Sequence, residues 1–382
     1  MKLKIVQLTT DNRSHHQQFD KTAPWFGPAP EALFSGFAAF PDEVEVHIIS
    51  CTRQPVQSPE KLADNLWFHS LHVPKIGWMR TGYQGCLRAT RRRLKQIQPD
   101  LVHGQGSESD AAICAALSGF PNVITLLGIM SEMVPLLNAR PGSYYWIARL
   151  LENWSLRRTA GVLANSRFTR EKVRSRARRT WLVANAVREP FFQTPPPPVR
   201  PAKCVLLNAG TICTYKRQNE LLEVAEQLHA EGLPFELHFL GAASREKPYG
   251  AKFLDQVQNR PYLFHHGHKD TAEFIRELDS AAALVHVSAI ESFGLVVAEA
   301  LARNLKFIGF NTAGVADIVE NLEGAEGFAD GDWAGLRTAI TRWVRAGHPR
   351  PTTAAATIRE RYHPREIARQ HLEVYREVLA RR

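Results

Sequence analysis

The feature that most constrains this chain is a repeated alternation between short apolar runs and segments long enough to form helices. Runs this short and this continuously apolar are typical of parallel strands that are covered on both faces. The intervening segments, such as 219–230 and 271–280, indicate βαβ units. The predicted strands are 3–8, 44–49, 99–103, 123–126 and 161–164 in the first half, and 204–209, 235–240, 262–264, 283–287, 306–310 and 327–329 in the second. We therefore predict an α/β protein with doubly wound sheets.

A proline-rich segment separates the two sets of strands. Residues 194–203 read TPPPPVRPAK, and consecutive prolines lack the N–H groups that a strand ladder needs and favour a stiff, extended connector. We therefore expect two Rossmann-like domains that face each other across a cleft, with ligand sites at the carboxyl ends of the strands. The predicted boundaries are 1–194 for the N-terminal domain, 195–203 for the linker, 204–363 for the C-terminal domain, and 364–382 for a helix that crosses back to the N-terminal domain.

Composition narrows the class of protein. Of 382 residues, 44% are hydrophobic and 23% are charged, which excludes a largely disordered chain. The net charge of +10 favours anionic partners, namely phosphates, nucleic acid or an acidic membrane surface. No stretch approaches the roughly 20 apolar residues of a membrane span, and the first residues lack the apolar core of a signal peptide. The five cysteines form no CxxC pair, which favours a reducing compartment. We expect a cytoplasmic protein.

The segment 288–301, SAIESFGLVVAEAL, points most directly to chemistry. It follows a predicted buried strand, and its pattern predicts a tight loop that opens into an apolar helix. With Ser292 as the N-cap, the amides near Phe293, Gly294 and Leu295 have no intrahelical acceptors. Such amides favour a bound phosphate, and a glycine allows a ligand to approach the backbone closely. This segment is therefore a candidate phosphate site.

Two carboxylates flank this candidate site. Glu291 precedes the predicted helix and Glu299 lies about two turns inside it, which separates them by on the order of 12 Å along the helix axis. That distance is too long for a shared proton but suits the two ends of an extended ligand, such as a nucleotide sugar. The alternative is that Glu291 is a solvated loop residue and Glu299 an exposed helix position.

Residues 291–300, ESFGLVVAEA, resemble the E-x7-E segment of retaining GT-B glycosyltransferases, specifically glycosyltransferase family 4. Residues 209–216 (AGTICTYK) are similar to the glycine-rich turn and phosphate-binding lysine of that family. Further similar segments are 239–241, 264–268 and 307–319 in the second half and, more loosely, 99–104, Glu152, 164–168 and 184–187 in the first. The resemblance implies a GT-B fold and a donor that is a UDP- or GDP-linked sugar.

The resemblance also implies roles for single residues on the donor side. Glu291 would hydrogen-bond the hydroxyls of the donor sugar, and Glu299 those of the ribose. Lys216 would pair with the diphosphate, together with the amides of the Ser292–Phe293–Gly294–Leu295 segment. Lys216 and Glu291 are thus the predicted catalytic residues.

Other positions are implied to line the two sides of the site. Gly27 lies where the family has a glycine loop before its first long helix, which would approach the diphosphate. His268, after Gly267, would lie beside the base. On the acceptor side, the family's markers correspond to His103, Gly128 and Asn165.

Two positions depart from the family pattern. Thr211 stands where an arginine is frequent, and Leu127 stands where a histidine usually precedes the glycine. The resemblance implies a retaining, metal-independent transferase, in which positive charge and aligned amides would assist the departure of the diphosphate. The departures keep open a non-catalytic nucleotide-sugar-binding or scaffold protein of the same fold. A nucleotide-sugar epimerase is a further alternative.

Remaining signals concern metals and membranes. Asp330-Gly331-Asp332 has the spacing of a DxD metal motif, but Asp332 also suits the N-cap of a helix beginning at Trp333. The histidines 265, 266 and 268 lack further spaced ligands, so no metal or other cofactor is expected. Basic clusters lie at 88–95 and 167–179. They could hold the N-terminal domain against anionic lipid, where a glycan or lipid-linked acceptor would lie. The alternative is that they are solvated helix faces. No recognition motif for nucleic acid accompanies them.

Overall fold

The structure is a computed structural model that describes residues 2–14, 16–193 and 203–381. The predicted linker residues 195–202 and His15 lie outside the described residues. The chain divides into two compact units. Unit 1 comprises Met1–Arg188 together with Tyr362–Arg382, and unit 2 comprises Glu189–Arg361.

Unit 1 contains an eight-stranded sheet in the order β3-β4-β2-β1-β5-β6-β7-β8. All neighbouring strands in it are parallel except β3 and β4, which pair antiparallel at the edge. Its strands are β1 Leu3–Leu8, β2 Val44–Thr52, β3 Lys61–Ala63, β4 Leu66–His72, β5 Leu101–Gln105, β6 Asn122–Leu126, β7 Gly161–Ala164 and β8 Thr180–Leu182. Since parallel neighbours need crossover connections, helices separate most of these strands.

The sheet of unit 2 has six parallel strands in the order β11-β10-β9-β12-β13-β14. These strands are β9 Val205–Ala209, β10 Glu236–Leu240, β11 Leu263–His265, β12 Ala283–His286, β13 Lys306–Phe310 and β14 Ala325–Phe328. The order reverses direction between β9 and β12, so the carboxyl ends of these two strands form the switch point where doubly wound sheets bind ligands.

Helices connect the strands in both units. In unit 1 they are α1 Pro28–Ala38, α2 Gln84–Ile97, α3 Ala111–Ala116, α4 Met130–Leu136, α5 Tyr144–Leu156 and α6 Arg167–Val173. In unit 2 they are α7 Gln218–Ala230, α8 Pro248–Gln258, α9 Thr271–Ser280, α10 Leu295–Leu301, α11 Val315–Val319, α12 Trp333–Arg345 and α13 Ala354–Tyr362. The last helix, α14 Pro364–Ala380, returns to unit 1 and packs against α1.

Strand β1 shows why the runs are apolar at successive positions. Ile5 and Val6 are both fully buried, and they belong to two different hydrophobic clusters. Neighbouring side chains on a strand point to opposite faces. The Ile5 cluster contains Phe37 of α1 and Tyr375 of α14, whereas the Val6 cluster contains Leu94 of α2. Helices thus cover both faces of the sheet, and the predicted α/β fold is confirmed.

Candidate active site

Two glycine turns meet at the carboxyl ends of β9 and β10. Gly210 and Gly241 have φ values of +147° and +144°, which disfavour other residues. A Cβ on Gly241 would lie 2.1 Å from the Gly210 carbonyl oxygen, so the two backbones touch. The Gly210 N–H donates to the Leu240 carbonyl at 2.8 Å. Only glycine permits this approach, which fixes the start of the 210–216 turn.

A second loop, between β12 and α10, is hydrogen-bonded to the 210–216 turn. The Ala289 N–H donates to the Tyr215 carbonyl at 2.8 Å, and the Ser288 hydroxyl donates to the same oxygen at 3.3 Å. On its other side, the Glu291 carbonyl accepts from the Gly314 N–H at 2.8 Å. These backbone contacts place Lys216 and Glu291 side by side, although 74 residues lie between them in sequence.

Lys216 and Glu291 form an ion pair through Nζ and Oε1. Each side chain is 17% exposed, so the pair is mostly withdrawn from water. His286 Nε2 lies 3.2 Å from the same Oε1. Burial by itself raises the pKa of Glu291, but the charge of Lys216 and the His286 ring outweigh it and lower the pKa to about 2. The carboxylate is therefore ionised at all ordinary pH values.

The start of α10 differs from the prediction. The helix begins at Leu295, with Gly294 rather than Ser292 at the N-cap. Gly294 has a φ of +96°, and this left-handed conformation ends the loop abruptly. The loop is also held in place by Gly314, where a Cβ would lie 2.2 Å from the Ser292 carbonyl oxygen. Phe293 is 3% exposed and packs into the interior.

Glu299 is consequently less than two turns inside the helix. It is the fifth residue of α10, and it is 4% exposed, which excludes the alternative of a solvated helix position. Glu291 is likewise not a solvated loop residue, because it is paired with Lys216. Both acidic side chains therefore occupy buried or half-buried positions around the β12–α10 loop.

Two other predicted positions in unit 2, Thr211 and His268, are exposed. Arg217, which follows Lys216, forms an ion pair with Asp330. The carboxylate of Asp332 accepts from the Gly335 N–H at 2.8 Å, so it caps α12 as expected. The DxD spacing is thus accounted for by one ion pair and one helix cap.

Unit 1 contains a cavity of about 630 Å³, a size typical of small-molecule sites. The predicted Gly27 lies on its wall as the N-cap of α1, as does Leu127, which replaces the family histidine. Around Gly27 the nearest atom to an added Cβ is 3.8 Å away, so the position is open. Polar and aromatic lining residues that the sequence did not single out include Asp11, Arg53, Trp78, Gln105 and Glu108.

His103 lies under the cavity and not on its wall. It is fully buried, and Nδ1 is 2.6 Å from the Tyr375 hydroxyl while Nε2 is 2.7 Å from the Thr125 hydroxyl. Burial lowers the pKa of His103 well below its usual range. Its neighbour Gln105 does reach the cavity and donates to Gln7, which in turn donates to Tyr375. The histidine therefore anchors α14 beneath the cavity floor.

The remaining acceptor-side positions, Gly128 and Asn165, follow β6 and β7. Gly128 is half-buried, and an added Cβ would lie 3.5 Å from the Met130 side chain. Asn165 is buried and accepts from the Thr169 hydroxyl at 2.9 Å. Glu152 accepts from the Ser107 hydroxyl at 2.7 Å and from the Met130 N–H at 2.9 Å. Glu152 thus ties the loop after β5 to the start of α4.

Among the described residues, one group of side chains could hold a metal ion. Cys51 Sγ, Cys86 Sγ and an Asp110 carboxylate oxygen lie within 4.8 Å of one another, beside the cavity. The sequence spacing of the cysteines gave no indication of this group. A hydrogen bond with Cys86 and burial raise the pKa of the Cys51 thiol well above its usual range. A high thiol pKa disfavours the thiolate that binds metals.

Two family models match the chain. Residues 193–360 match the model of the glycosyl transferases group 1, and residues 36–188 match that of Glycosyltransferase Family 4. Together these matches cover both halves of the sequence. A search among curated protein sequences gives no significant match.

Solved structures share this fold at low sequence identity. Sucrose-phosphate synthase from Thermosynechococcus elongatus aligns with a TM-score of 0.75 at 16% identity, covering 100% of both chains. HepE of Anabaena, in complex with UDP and glucose, aligns with a TM-score of 0.70 at 16% identity, covering 98% of this chain and 100% of HepE. A glycosyltransferase from Rickettsia africae aligns with a TM-score of 0.69 at 14% identity, covering 99% of each chain. No helix in the described part of the chain is long and apolar enough to cross a bilayer.

Proposed function

Because the chain belongs to the family 4 glycosyltransferases of the GT-B fold, we propose that it transfers a sugar from a nucleotide-diphosphate sugar, with retention of configuration. The donor carries UDP or GDP. The acceptor is a glycan, a lipid-linked saccharide or a small molecule. The observation that carries the proposal is the ion pair between Lys216 and Glu291 at the carboxyl ends of β9 and β12.

Lys216 is the cation that meets the diphosphate in this proposal. Its Nζ lies beside the Gly210 turn, where an added Cβ would be 4.0 Å from that nitrogen. A fixed ammonium stabilises the negative charge that develops on the departing diphosphate. Lys216 would therefore supply the charge that a metal ion supplies elsewhere, and no metal step is proposed. The amides of 292–295 would share this task.

Glu291 and Glu299 bind the two sugar rings of the donor in this proposal. An ionised carboxylate is an acceptor for hydroxyl donors, and Glu291 is ionised because of Lys216 and His286. The acceptor hydroxyl attacks the anomeric carbon on the face from which the diphosphate leaves, and the departing phosphate accepts its proton. The unit 1 cavity is the proposed acceptor side, and His268 is proposed to lie beside the base.

The test is incubation of the purified protein with UDP- and GDP-sugars, followed by measurement of released nucleotide and of transfer to acceptor extracts. Slow donor hydrolysis or transfer supports the enzyme. Donor binding without release under any condition favours the alternative, a non-catalytic nucleotide-sugar-binding protein, which is motivated by the uncharged Thr211. An epimerase would convert the donor with no acceptor and no released nucleotide.

Calorimetry with single variants tests the assignment of the two acids. Glu299→Ala should weaken the binding of UDP itself. Glu291→Ala should leave UDP affinity nearly unchanged and weaken only the binding of the nucleotide sugar. Equal losses of UDP affinity in the two variants would contradict this assignment.

A further inference from the structure

His286 is a buried titratable group in the donor site, and the proposed mechanism gives it no contact with the donor. It is the last residue of β12 and is 1% exposed. Its Nε2 is buried and makes no hydrogen bond of normal geometry with the described residues, although Glu291 Oε1 is only 3.2 Å away. A buried polar atom without a hydrogen-bond partner costs free energy. The position therefore calls for an explanation.

The charge balance of the ligand-free site depends on Lys216. Its ammonium compensates the Glu291 carboxylate directly, and His286 Nε2 lies 3.2 Å from the same carboxylate oxygen. A bound diphosphate competes for this same ammonium, since Lys216 is the cation of the proposed phosphate site. As Lys216 turns to the diphosphate, the buried Glu291 carboxylate loses its counter-ion. An uncompensated buried charge is strongly unfavourable.

His286 is the group placed to restore the balance. We infer, on the basis of the proposed function, that His286 takes up a proton when the donor binds and replaces Lys216 as the cation beside Glu291. The proton comes from solvent and adds to the lone pair of the imidazole, so no other bond is made or broken. The imidazolium then donates from Nε2 to Glu291 and places a full positive charge beside the carboxylate. Donor binding and proton uptake are thereby coupled.

The other groups around His286 do not offer this charge. Burial raises the pKa of the Cys213 thiol, so Cys213 stays neutral. Asn208 of β9 and Gly309 of β13, which flank the end of β12, have no titratable side chain. The titratable groups on the elements that pack around the end of β12 are Cys213, Tyr215 and Lys216 on the turn after β9, Glu291 on the loop, and Glu299 on α10.

Isothermal titration calorimetry at about pH 7.5 measures the coupling directly. The full-length protein is titrated with UDP-glucose and with GDP-mannose in two buffers of different ionisation enthalpy. These donors carry no phosphate group that titrates near neutral pH, so any buffer dependence reports on the protein. We expect uptake of about one proton per donor bound, and an affinity that falls up to about tenfold per pH unit at alkaline pH. A binding enthalpy that is the same in both buffers would overturn the inference.

Variants identify the site of uptake. His286→Gln should still bind the donor but lose the proton uptake, and Glu291→Gln should lose it as well because no buried charge then needs compensation. His229→Gln is the matched control: His229 lies on the exposed end of α7, stacked on Tyr262, and its loss should leave the uptake intact. Uptake that persists in His286→Gln would place the proton on another group and would refute the role of His286.

A spectroscopic readout covers the case in which His286→Gln does not fold. Long-range ¹H–¹⁵N spectra of the wild-type protein should show one histidine that changes from neutral imidazole to imidazolium when the donor is added. No such change on saturation with a bound donor overturns the inference. Failure of both donors to bind, in contrast, would count against the proposed function itself.

Discussion

Replacement of Lys216 by methionine should destabilise unit 2 by removing the counter-ion of a buried carboxylate. The pKa of Glu291 lies at about 2 instead of its ordinary 4.5, and one pKa unit corresponds to about 1.4 kcal/mol. The favourable environment of the carboxylate is therefore worth about 3 kcal/mol. This value is a net one, because burial opposes the shift and His286 remains 3.2 Å from Glu291, and it sets the order of magnitude for Lys216→Met. Methionine keeps the length of the side chain, so packing changes little.

The assay is hydrogen exchange in increasing urea, followed on peptides of unit 2. A lowered pKa stabilises the folded state above the ordinary value of 4.5, and this stabilisation is lost as the pH falls toward about 2. The difference between wild type and Lys216→Met should therefore be full at neutral pH and should shrink below pH 4.5. Lys216→Arg, which keeps the charge, is the control.

The double variant decides whether the stated cause is correct. Glu291→Gln removes the charge that is left unpaired, so Lys216→Met with Glu291→Gln should be more stable than Lys216→Met alone. A double-mutant cycle isolates this coupling because the two side chains touch. Equal stability of the single and double variants, or a difference that does not depend on pH, would refute the reasoning.

Three further predictions address backbone, pH and surface. Gly294→Ala should lower the free energy of unfolding, measured by thermal denaturation, by about 1–3 kcal/mol. The φ of Gly294 is +96°, and the new Cβ would lie 2.8 Å from the Val315 side chain. Gly232 also has a positive φ but no described atom within 4 Å of an added Cβ, so Gly232→Ala should be less destabilising. Burial lowers the pKa of His371 to about 4. As the pH falls from 6.5 to 4, unit 1 should therefore lose up to about 1.4 kcal/mol of its free energy of unfolding per pH unit. If His371→Leu unfolds in acid with the same pH profile as the wild-type protein, this prediction is contradicted. If the basic face of α2 contacts anionic lipid, the fraction of protein that floats with anionic vesicles should decrease as salt is added. A floating fraction that depends on neither salt nor lipid charge would contradict this contact.

The sequence predicts the strands of both sheets where the physical signal is local. Residues 3–8, 161–164 and 306–310 are predicted with the same bounds as β1, β7 and β13, since buried parallel strands are continuously apolar. In contrast, β3, β4 and β8 were not predicted. β3 and β8 are the edge strands of the unit 1 sheet and β4 lies next to an edge, where exposed positions admit charged and polar residues such as Lys61 and His72.

The site is predictable as far as it depends on motifs and not where it depends on distant contacts. The sequence indicates Lys216 and Glu291, but only the hydrogen bonds between their loops show that they pair with each other. The first residue of α10 depends on Gly314 packing against the loop, which no local pattern reveals. The interior position of His103 depends on Tyr375, which is 272 residues away in sequence.

Helix α14 has a consequence for how the protein is made. Tyr375 is fully buried in the core of unit 1, and its hydroxyl bonds both to His103 and to Gln7 of the first strand. A ribosome builds β1 early and α14 only after all of unit 2 has emerged. The surface of unit 1 that packs against Tyr375, including Phe37 and His103, therefore has no covering helix until α14 has left the exit tunnel.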